Sequence, residues 1–139
     1  MAKKLNCVLL VDDDDATNFI NKMVVEKAGI ADRIEIVLNG RDALHFLTGQ
    51  GKFESNGADA EQPALILLDI NMPIMDGWEF LEQYQSLELH KKGHVVIVML
   101  STSFNPDDQV RANKMFGVSG YRHKPLTLAI LDEIIKEHF

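Results

Sequence analysis

The segment ALILLDINMPIMDG, residues 64–77, decides the fold class of this chain. Five apolar residues open it, and an unbroken apolar run of this length is typical of a β-strand that is buried on both faces. Asp69 follows the run directly, so a carboxylate lies where the strand leaves the core and meets water. The segment therefore predicts a buried strand that ends in an acidic group and opens into a turn.

A second apolar run ends in acids in the same way. Residues 8–11 (VLLV) are followed by four consecutive aspartates, Asp12 to Asp15. If the two strands are neighbours in a parallel sheet, both groups of carboxylates converge on one edge of that sheet. An edge of this kind can hold a divalent cation and support phosphoryl chemistry.

Strand-like and helix-like patterns alternate along the chain. We predict five strands, at residues 7–11, 34–38, 64–68, 95–100 and 120–123. Helices are predicted at residues 15–28, from about residue 40 onward, and at 77–87, 106–116 and 126–138, and residues 50–62 are predicted as a surface loop. Strict alternation with short connections predicts an α/β fold, a doubly wound five-stranded parallel sheet with helices on both faces.

Two helix predictions depend on spacing. The first helix is predicted to be amphipathic, because large apolar residues recur at helical spacing: Phe19, Ile20, Met23 and Val24. The pair Asn39-Gly40 is compatible with a hairpin, but the apolar spacing that follows it favours a short helix.

Length, composition and net charge limit the class of protein. A chain of 139 residues that is 46% hydrophobic is expected to form one domain with its own core. The net charge of −7 argues against a nucleic-acid partner, whose binding surface usually needs a basic patch. Cys7 is the only cysteine, so no internal disulfide forms. The apolar run near the amino terminus is too short for a signal peptide or a membrane span, and we expect a cytoplasmic protein with no membrane partner.

The polar residues that matter fall at the predicted strand ends. Ligands of open parallel sheets bind at the carboxyl ends of the strands, where the direction of winding changes. The residues found there are Asp12 and Asp13 after the first strand, Asp69 after the third, Ser101 and Thr102 after the fourth, and Lys124 after the fifth.

Crowded carboxylates favour a bound cation. Asp12, Asp13 and Asp69 would repel one another, and a hard divalent ion removes that cost. Mg²⁺ prefers oxygen ligands and commonly uses one or two carboxylates together with phosphate oxygens. The three aspartates are therefore candidate Mg²⁺ ligands. The competing interpretation, a solvated acidic turn that caps a helix, is preferred for Asp14 and Asp15.

Asp69 is either a plain metal ligand or a nucleophile, because a carboxylate can attack phosphorus and form an acyl phosphate. Such an attack needs positive charge near the phosphoryl oxygens, and Lys124 can supply it. A hydroxyl of Ser101 or Thr102 can donate a hydrogen bond to a phosphoryl oxygen. The competing interpretations are a surface lysine before a turn and, for the hydroxyls, a loop or helix-cap role.

Together these motifs resemble the receiver domain of two-component response regulators, of the chemotaxis-regulator type. The matching signatures are VDD at residues 11–13, DINMPIMDG at 69–77, LST at 100–102 and GYRHKP at 120–125. The resemblance covers residues from about 6 to 139 and implies a flavodoxin-like (βα)5 fold with strand order 2-1-3-4-5. It also implies the stand-alone type, a single receiver domain over residues 1–139 with no output domain.

The resemblance implies a role for each residue at the site. Asp69 would be the phosphoacceptor, charged by a sensor histidine kinase or a histidine phosphotransfer protein. Asp13 and Asp69 would bind Mg²⁺ directly, Asp12 would act through water, and the backbone carbonyl of Asn71 would complete the protein ligands. Lys124 would pair with the phosphate.

A switch is implied as well. Ser101 would be the hydroxyl that moves to the phosphoryl group, and Tyr121 the aromatic that swings inward behind it. The spacing from Ser101 to Lys124 is one residue longer than in the simplest members, which leaves Thr102 as an alternative switch residue. Tyr121 also has a plain packing interpretation, since a tyrosine in a short strand is usually half-buried. The implied output is altered binding to a downstream protein target, by a monomer or weak dimer.

Two other functional classes fit the sequence less well. An aspartate-nucleophile phosphohydrolase of the haloacid-dehalogenase type needs a second acid two residues after the nucleophile, and that position is Asn71. A binding module that never takes phosphate is expected to lack one of the acids or the lysine, and all are present. We therefore expect a phospho-switch that takes part in its own phosphorylation and dephosphorylation, and not a turnover enzyme.

Overall fold

A five-stranded parallel sheet forms the centre of the molecule. The computed structural model describes residues 5–49, 62–89, 94–102, 105–115 and 117–139. The strands are β1 (Val8–Val11), β2 (Ile34–Val37), β3 (Leu65–Asp69), β4 (Val96–Ser101) and β5 (Gly120–His123). They pair in the order β2-β1-β3-β4-β5, and every neighbouring pair is parallel. The predicted doubly wound sheet and its strand order are confirmed.

Five helices connect and follow the strands. They are α1 (Asp15–Ala28), α2 (Gly40–Thr48), α3 (Gly77–Ser86), α4 (Pro106–Lys114) and α5 (Leu128–His138). Asn39 caps α2 by accepting a hydrogen bond from the backbone N–H of Asp42 at 2.8 Å, so Asn39-Gly40 opens a helix and not a hairpin. Helix α4 ends two residues earlier than predicted, and residues 50–61 of the predicted surface loop lie outside the described residues.

The side chains of the central strands alternate between two apolar cores. On one face, Leu9, Ile66 and Ile97 pack with α2, α3 and the buried Ala112 of α4. On the other face, Val8, Leu65 and Val96 pack with α1 and α5. Both faces are covered, which is why β1, β3 and β4 appear in the sequence as continuous apolar runs.

Helix α1 shows an unexpected orientation. The helix forms at the predicted residues, but Phe19, Ile20 and Met23 are exposed. The buried positions of α1 are Asn18, Asn21 and Val25. Spacing correctly predicted a helix, but it did not predict which face packs on the sheet, because two asparagines take buried positions while Phe19, Ile20 and Met23 stay in solvent.

The register places the polar strand ends at one level. Val11 lies beside Leu68, so Asp12 and Asp69 are the next residues on neighbouring strands. Asp69 lies beside Leu100, and Ser101 lies beside His123, which directly precedes Lys124. The carboxyl edge of the sheet therefore gathers the predicted site residues. None of the described helices combines the length and hydropathy that a bilayer span requires.

The amino-terminal end of α3 packs against the carboxyl end of β3 at Gly77. Its N–H donates a hydrogen bond to the carbonyl oxygen of Ile70 at 2.8 Å. A Cβ at this position would lie 2.5 Å from the carbonyl oxygen of Asp69 and 3.1 Å from Cα of Ile70. Both neighbours are backbone atoms and cannot rotate away.

We predict that Gly77→Ala lowers the free energy of unfolding by roughly 2 kcal/mol, because the added methyl forces α3 away from β3. Urea denaturation measures the change. Gly120→Ala is the matched control, since a Cβ there meets its nearest atom at 3.7 Å, and we expect an effect within about 0.5 kcal/mol. Equal effects of the two substitutions would contradict the packing argument.

Candidate metal and phosphoryl site

One lysine joins the ends of two neighbouring strands. Nζ of Lys124 lies 2.6 Å from Oδ2 of Asp12 and 3.0 Å from Oδ1 of Asp69. Both carboxylates are buried, and the lysine side chain is 13% exposed. The ammonium therefore bridges two carboxylates in a region that is largely shielded from water, where charged hydrogen bonds are strong.

Asp13 adds a third carboxylate to the pair. One carboxylate oxygen each from Asp12, Asp13 and Asp69 lie within 4.8 Å of one another. Asp12 and Asp69 are buried, and Asp13 is exposed. A set of hard oxygen donors that is open to water on one side fits Mg²⁺ or Mn²⁺, because such ions keep some of their waters.

Burial and the neighbouring charges shift the pKa values of Asp69 and Lys124. Burial raises the pKa of Asp69 above the ordinary carboxyl value, although the hydrogen bond from Lys124 opposes the shift. For Lys124, burial acts to lower the pKa, but hydrogen bonds to Asp12 and Asp69 outweigh it, and the pKa is raised overall. Lys124 is therefore an ammonium at neutral pH, and burial makes the charged form of Asp69 costly in the folded state.

Backbone and side-chain contacts fix the position of Asp12. Its Oδ1 accepts a hydrogen bond from the N–H of Asp14 at 2.9 Å, and its carbonyl oxygen accepts one from Nδ2 of Asn18 at 2.8 Å. Asp14 in turn caps α1 by accepting from the N–H of Thr17, as the helix-cap interpretation predicted. Asn18 was missed by the sequence analysis. The one feature of the sequence that could have pointed to Asn18 is that this polar residue lies directly before Phe19, within the amphipathic pattern of α1.

The two hydroxyl candidates lie in different surroundings. Ser101 is the last residue of β4 and is buried, and its carbonyl oxygen accepts a hydrogen bond from the N–H of Lys124 at 2.8 Å. Thr102 is exposed and lines a cavity of about 240 Å³ beside Lys124, Pro125 and Ile20. The structure thus brings both residues to the edge where Lys124 lies, with Ser101 inside the sheet and Thr102 outside it.

Two other predicted residues lie around the cluster. Asn71 is exposed on the connection that follows β3. Tyr121 is buried in β5, and its hydroxyl has no hydrogen-bond partner among the described residues. Its ring meets the His123 ring edge-on, with centroids 5.7 Å apart. No hydrogen bond to the described residues therefore holds the Tyr121 hydroxyl in place. A buried hydroxyl without a partner also costs free energy.

Comparison with known proteins establishes the family. The sequence matches the model of the response regulator receiver domain over residues 8–136. The chain belongs to this family. The receiver domain is 31% identical to the response regulator Rcp1 of Synechocystis, over 93% of this chain and 83% of Rcp1.

Solved structures agree with the assignment. A two-component response regulator from Cytophaga hutchinsonii superimposes on the receiver domain with a TM-score of 0.83 at 31% identity, covering 97% of each chain. The Mn²⁺-bound form of Rcp1 superimposes with a TM-score of 0.72 at 32% identity, covering 95% of this chain and 90% of that one. The resemblance inferred from the motifs is confirmed, and the acidic pocket of this receiver domain fits a role in two-component signalling.

We predict that Lys124→Met lowers the free energy of unfolding by about 3 kcal/mol at pH 7 in EDTA, because two buried carboxylates lose their counter-charge. Urea denaturation measures the loss. Lowering the pH from 7 toward the raised pKa of Asp69 should reduce this loss. The folded-state pKa of Asp69 is raised, so the folded protein binds a proton at a higher pH than the unfolded chain does, and protonation relieves the repulsion.

Lys136→Met is the matched control for this experiment. Lys136 pairs with Asp132 at 3.0 Å on the exposed face of α5, and an exposed pair of this kind contributes at most about 0.5 kcal/mol. A Lys124→Met variant as stable as Lys136→Met would show that the buried carboxylates do not depend on the lysine.

Proposed function

We propose that Asp69 accepts a phosphoryl group from a phosphohistidine, in a Mg²⁺-dependent reaction, and that the phosphorylated chain binds other proteins differently. The observation that carries this proposal is the Lys124 ammonium held 3.0 Å from Oδ1 of Asp69 beside two further carboxylates. Phosphoryl transfer requires a nucleophile, a positive charge beside the phosphoryl oxygens and ligands for a cation. In this proposal, all three lie at one edge of the sheet.

The chemical step is a displacement at phosphorus. An oxygen of Asp69 attacks, the O–P bond forms, and the N–P bond to the donor histidine breaks. The bond pair stays on the imidazole nitrogen, and the imidazole leaves neutral when its other ring nitrogen carries a proton. The Lys124 ammonium is placed to pair with a phosphoryl oxygen while it keeps its contact with Asp12.

The carboxylate set fits the metal that the family implies. Asp13 and Asp69 would hold Mg²⁺ directly, Asp12 would act through water, and the carbonyl oxygen of Asn71 would supply another ligand. Bound Mg²⁺ neutralises charge on the phosphoryl oxygens. It would also lower the cost of ionising Asp69, whose pKa burial raises.

The acyl phosphate would persist as a signal. A hydrolytic enzyme of the haloacid-dehalogenase type needs a general acid two residues after the nucleophile, and Asn71 cannot act as one. We therefore propose a phosphoacceptor with slow turnover and no independent substrate. Its donor is a sensor histidine kinase or a histidine phosphotransfer protein, so we propose that it works in the cytoplasm, where ATP-dependent kinases act.

Ser101 is our proposed switch hydroxyl, with Tyr121 as the aromatic side chain that follows it. Ser101 lies buried at the end of β4, in contact with the backbone of Lys124, whereas Thr102 faces the adjoining cavity. Tyr121 lies beside Met99 on the neighbouring strand, and its hydroxyl has no hydrogen-bond partner among the described residues, so little polar energy opposes a change of its position. We propose that the output is a protein contact of the single receiver domain, as a monomer or weak dimer and without nucleic acid.

We predict that acetyl phosphate with Mg²⁺ adds one phosphoryl group to the wild-type chain, and that Asp69→Asn takes up none. Intact-protein mass spectrometry measures the product. Trp78 gives a second readout, because its buried ring is stacked on the Arg111 guanidinium at 4.3 Å and reports changes between α3 and α4. EDTA should abolish both signals.

Asp14→Asn is the matched control for the label. Asp14 belongs to the same run of aspartates but acts as a helix cap, and Asn is an equally good cap. It should be labelled like the wild type. Continuous release of phosphate from simple monoesters would instead favour a hydrolase, and labelling of Asp69→Asn would place the phosphoacceptor elsewhere.

We predict that Ser101→Ala slows labelling by acetyl phosphate about tenfold, the effect of losing one hydrogen bond of roughly 1.4 kcal/mol to the transferred group. Thr102→Ala, the matched control, should change the rate less than about twofold. Stopped-flow fluorescence of Trp78 measures both rates. The opposite ranking would identify Thr102 as the switch residue.

A further inference from the structure

The connection after β3 contains a strained turn centred on Ile74. The backbone N–H of Met75 donates a hydrogen bond to the carbonyl oxygen of Pro73 at 2.7 Å, which closes a three-residue γ-turn. The central residue, Ile74, has φ 68°. A γ-turn with positive φ is the rare and strained form, and a β-branched residue is the type least suited to this region.

The side chain of Ile74 makes few packing contacts that could offset the free-energy cost of this strain. It is 63% exposed, so most of its apolar surface lies in solvent. Asparagine or glycine would adopt the same backbone conformation at lower cost. The intramolecular contacts therefore explain the turn but not the isoleucine at its centre.

The turn itself has a clear structural purpose. It directs Met75 onto the start of α2, where the carbonyl oxygen of Met75 accepts a hydrogen bond from the N–H of Gly40 at 2.9 Å. Asp76 then caps α3, accepting a hydrogen bond from the N–H of Glu79 at 2.8 Å. Because Met75 and Asp76, which directly follow Ile74, are both anchored, the backbone of Ile74 is held in place with its side chain in solvent, close in sequence to Asp69.

Asp69 is buried, so a donor protein must bring its phosphohistidine into the pocket for in-line attack. The donor surface around that histidine then contacts the loops at the carboxyl edge of the sheet. The loop after β3 is one of these, and the β1–α1 connection lies beside it because β1 and β3 are neighbours. Helix α1 follows that connection and exposes further apolar side chains: Phe19, Ile20 and Met23.

We propose that Ile74 is a recognition residue for the protein that donates the phosphoryl group to Asp69. The strained turn presents an exposed apolar side chain on the connection that directly follows Asp69, and an apolar surface next to the donor's phosphohistidine covers it. A residue whose backbone is already fixed loses little backbone entropy on binding, so it contributes more to affinity than a residue on a mobile loop would. This inference rests on the proposed function of Asp69.

The test separates side-chain contact from backbone strain. The donors are histidine kinases of the source organism, each autophosphorylated with radiolabelled ATP, and the kinase that transfers fastest to the wild-type chain is used. Ile74→Asn should raise the KM for this phosphorylated kinase about tenfold, with the maximal transfer rate changed less than about twofold. Its Tm should rise by about 3 °C through relief of strain. Ile74→Leu keeps an apolar group without β-branching, and it should transfer like the wild type.

Leu87→Asn is the matched control. Leu87 has a similar exposure of 52% but lies at the carboxyl end of α3, away from the pocket, and its substitution should leave KM unchanged. Acetyl phosphate should label all four proteins at the same rate, and a wild-type chain that it does not label would overturn the proposed function itself. With that labelling intact, a wild-type KM for Ile74→Asn would overturn the role of Ile74. So would a wild-type chain that accepts phosphate from no kinase.

Discussion

The contact between the Lys124 ammonium and the carboxylates of Asp12 and Asp69 is the constraint on which the site depends. The sheet register brings the ends of β1 and β3 to one level, and repulsion between their buried acids would oppose that arrangement without a counter-charge. With Asp13 included, three carboxylates and one ammonium leave two negative charges, which one divalent cation neutralises. The fold thus supplies a site whose excess negative charge matches one divalent cation.

Much of the fold could be predicted because its strongest constraint is local. A strand that is covered on both faces must be apolar at every position, and residues 65–68 and 96–100 satisfy this without exception. The acids, hydroxyls and lysine that interrupt the pattern then mark the carboxyl edge of the sheet. The strand order itself came from the resemblance to a known family, since alternation alone allows several orders.

Other features depend on tertiary contacts that no local pattern contains. The apolar spacing of α1 predicts a helix, but the packed face is the one that carries Asn18, because its amide bonds to the carbonyl oxygen of Asp12. The positive φ of Ile74 was also invisible, since isoleucine favours extended backbone and only the anchoring of Met75 on Gly40 imposes the turn. In each case a hydrogen bond outside the regular helix or strand pattern overrides the preference of the local sequence.

The contact between Gly77 and the end of β3 has a consequence for how this protein can vary. The hydrogen bond from Gly77 to Ile70 closes the base of the connection, and the bond from Gly40 to Met75 ties down its far side. Ile74, the exposed apolar residue between these two anchors, can therefore change identity without displacing Asp69. The backbone that positions Asp69 is thus fixed separately from the exposed tip, so a substitution at the tip can alter the surface of the molecule while the carboxylate stays where it is.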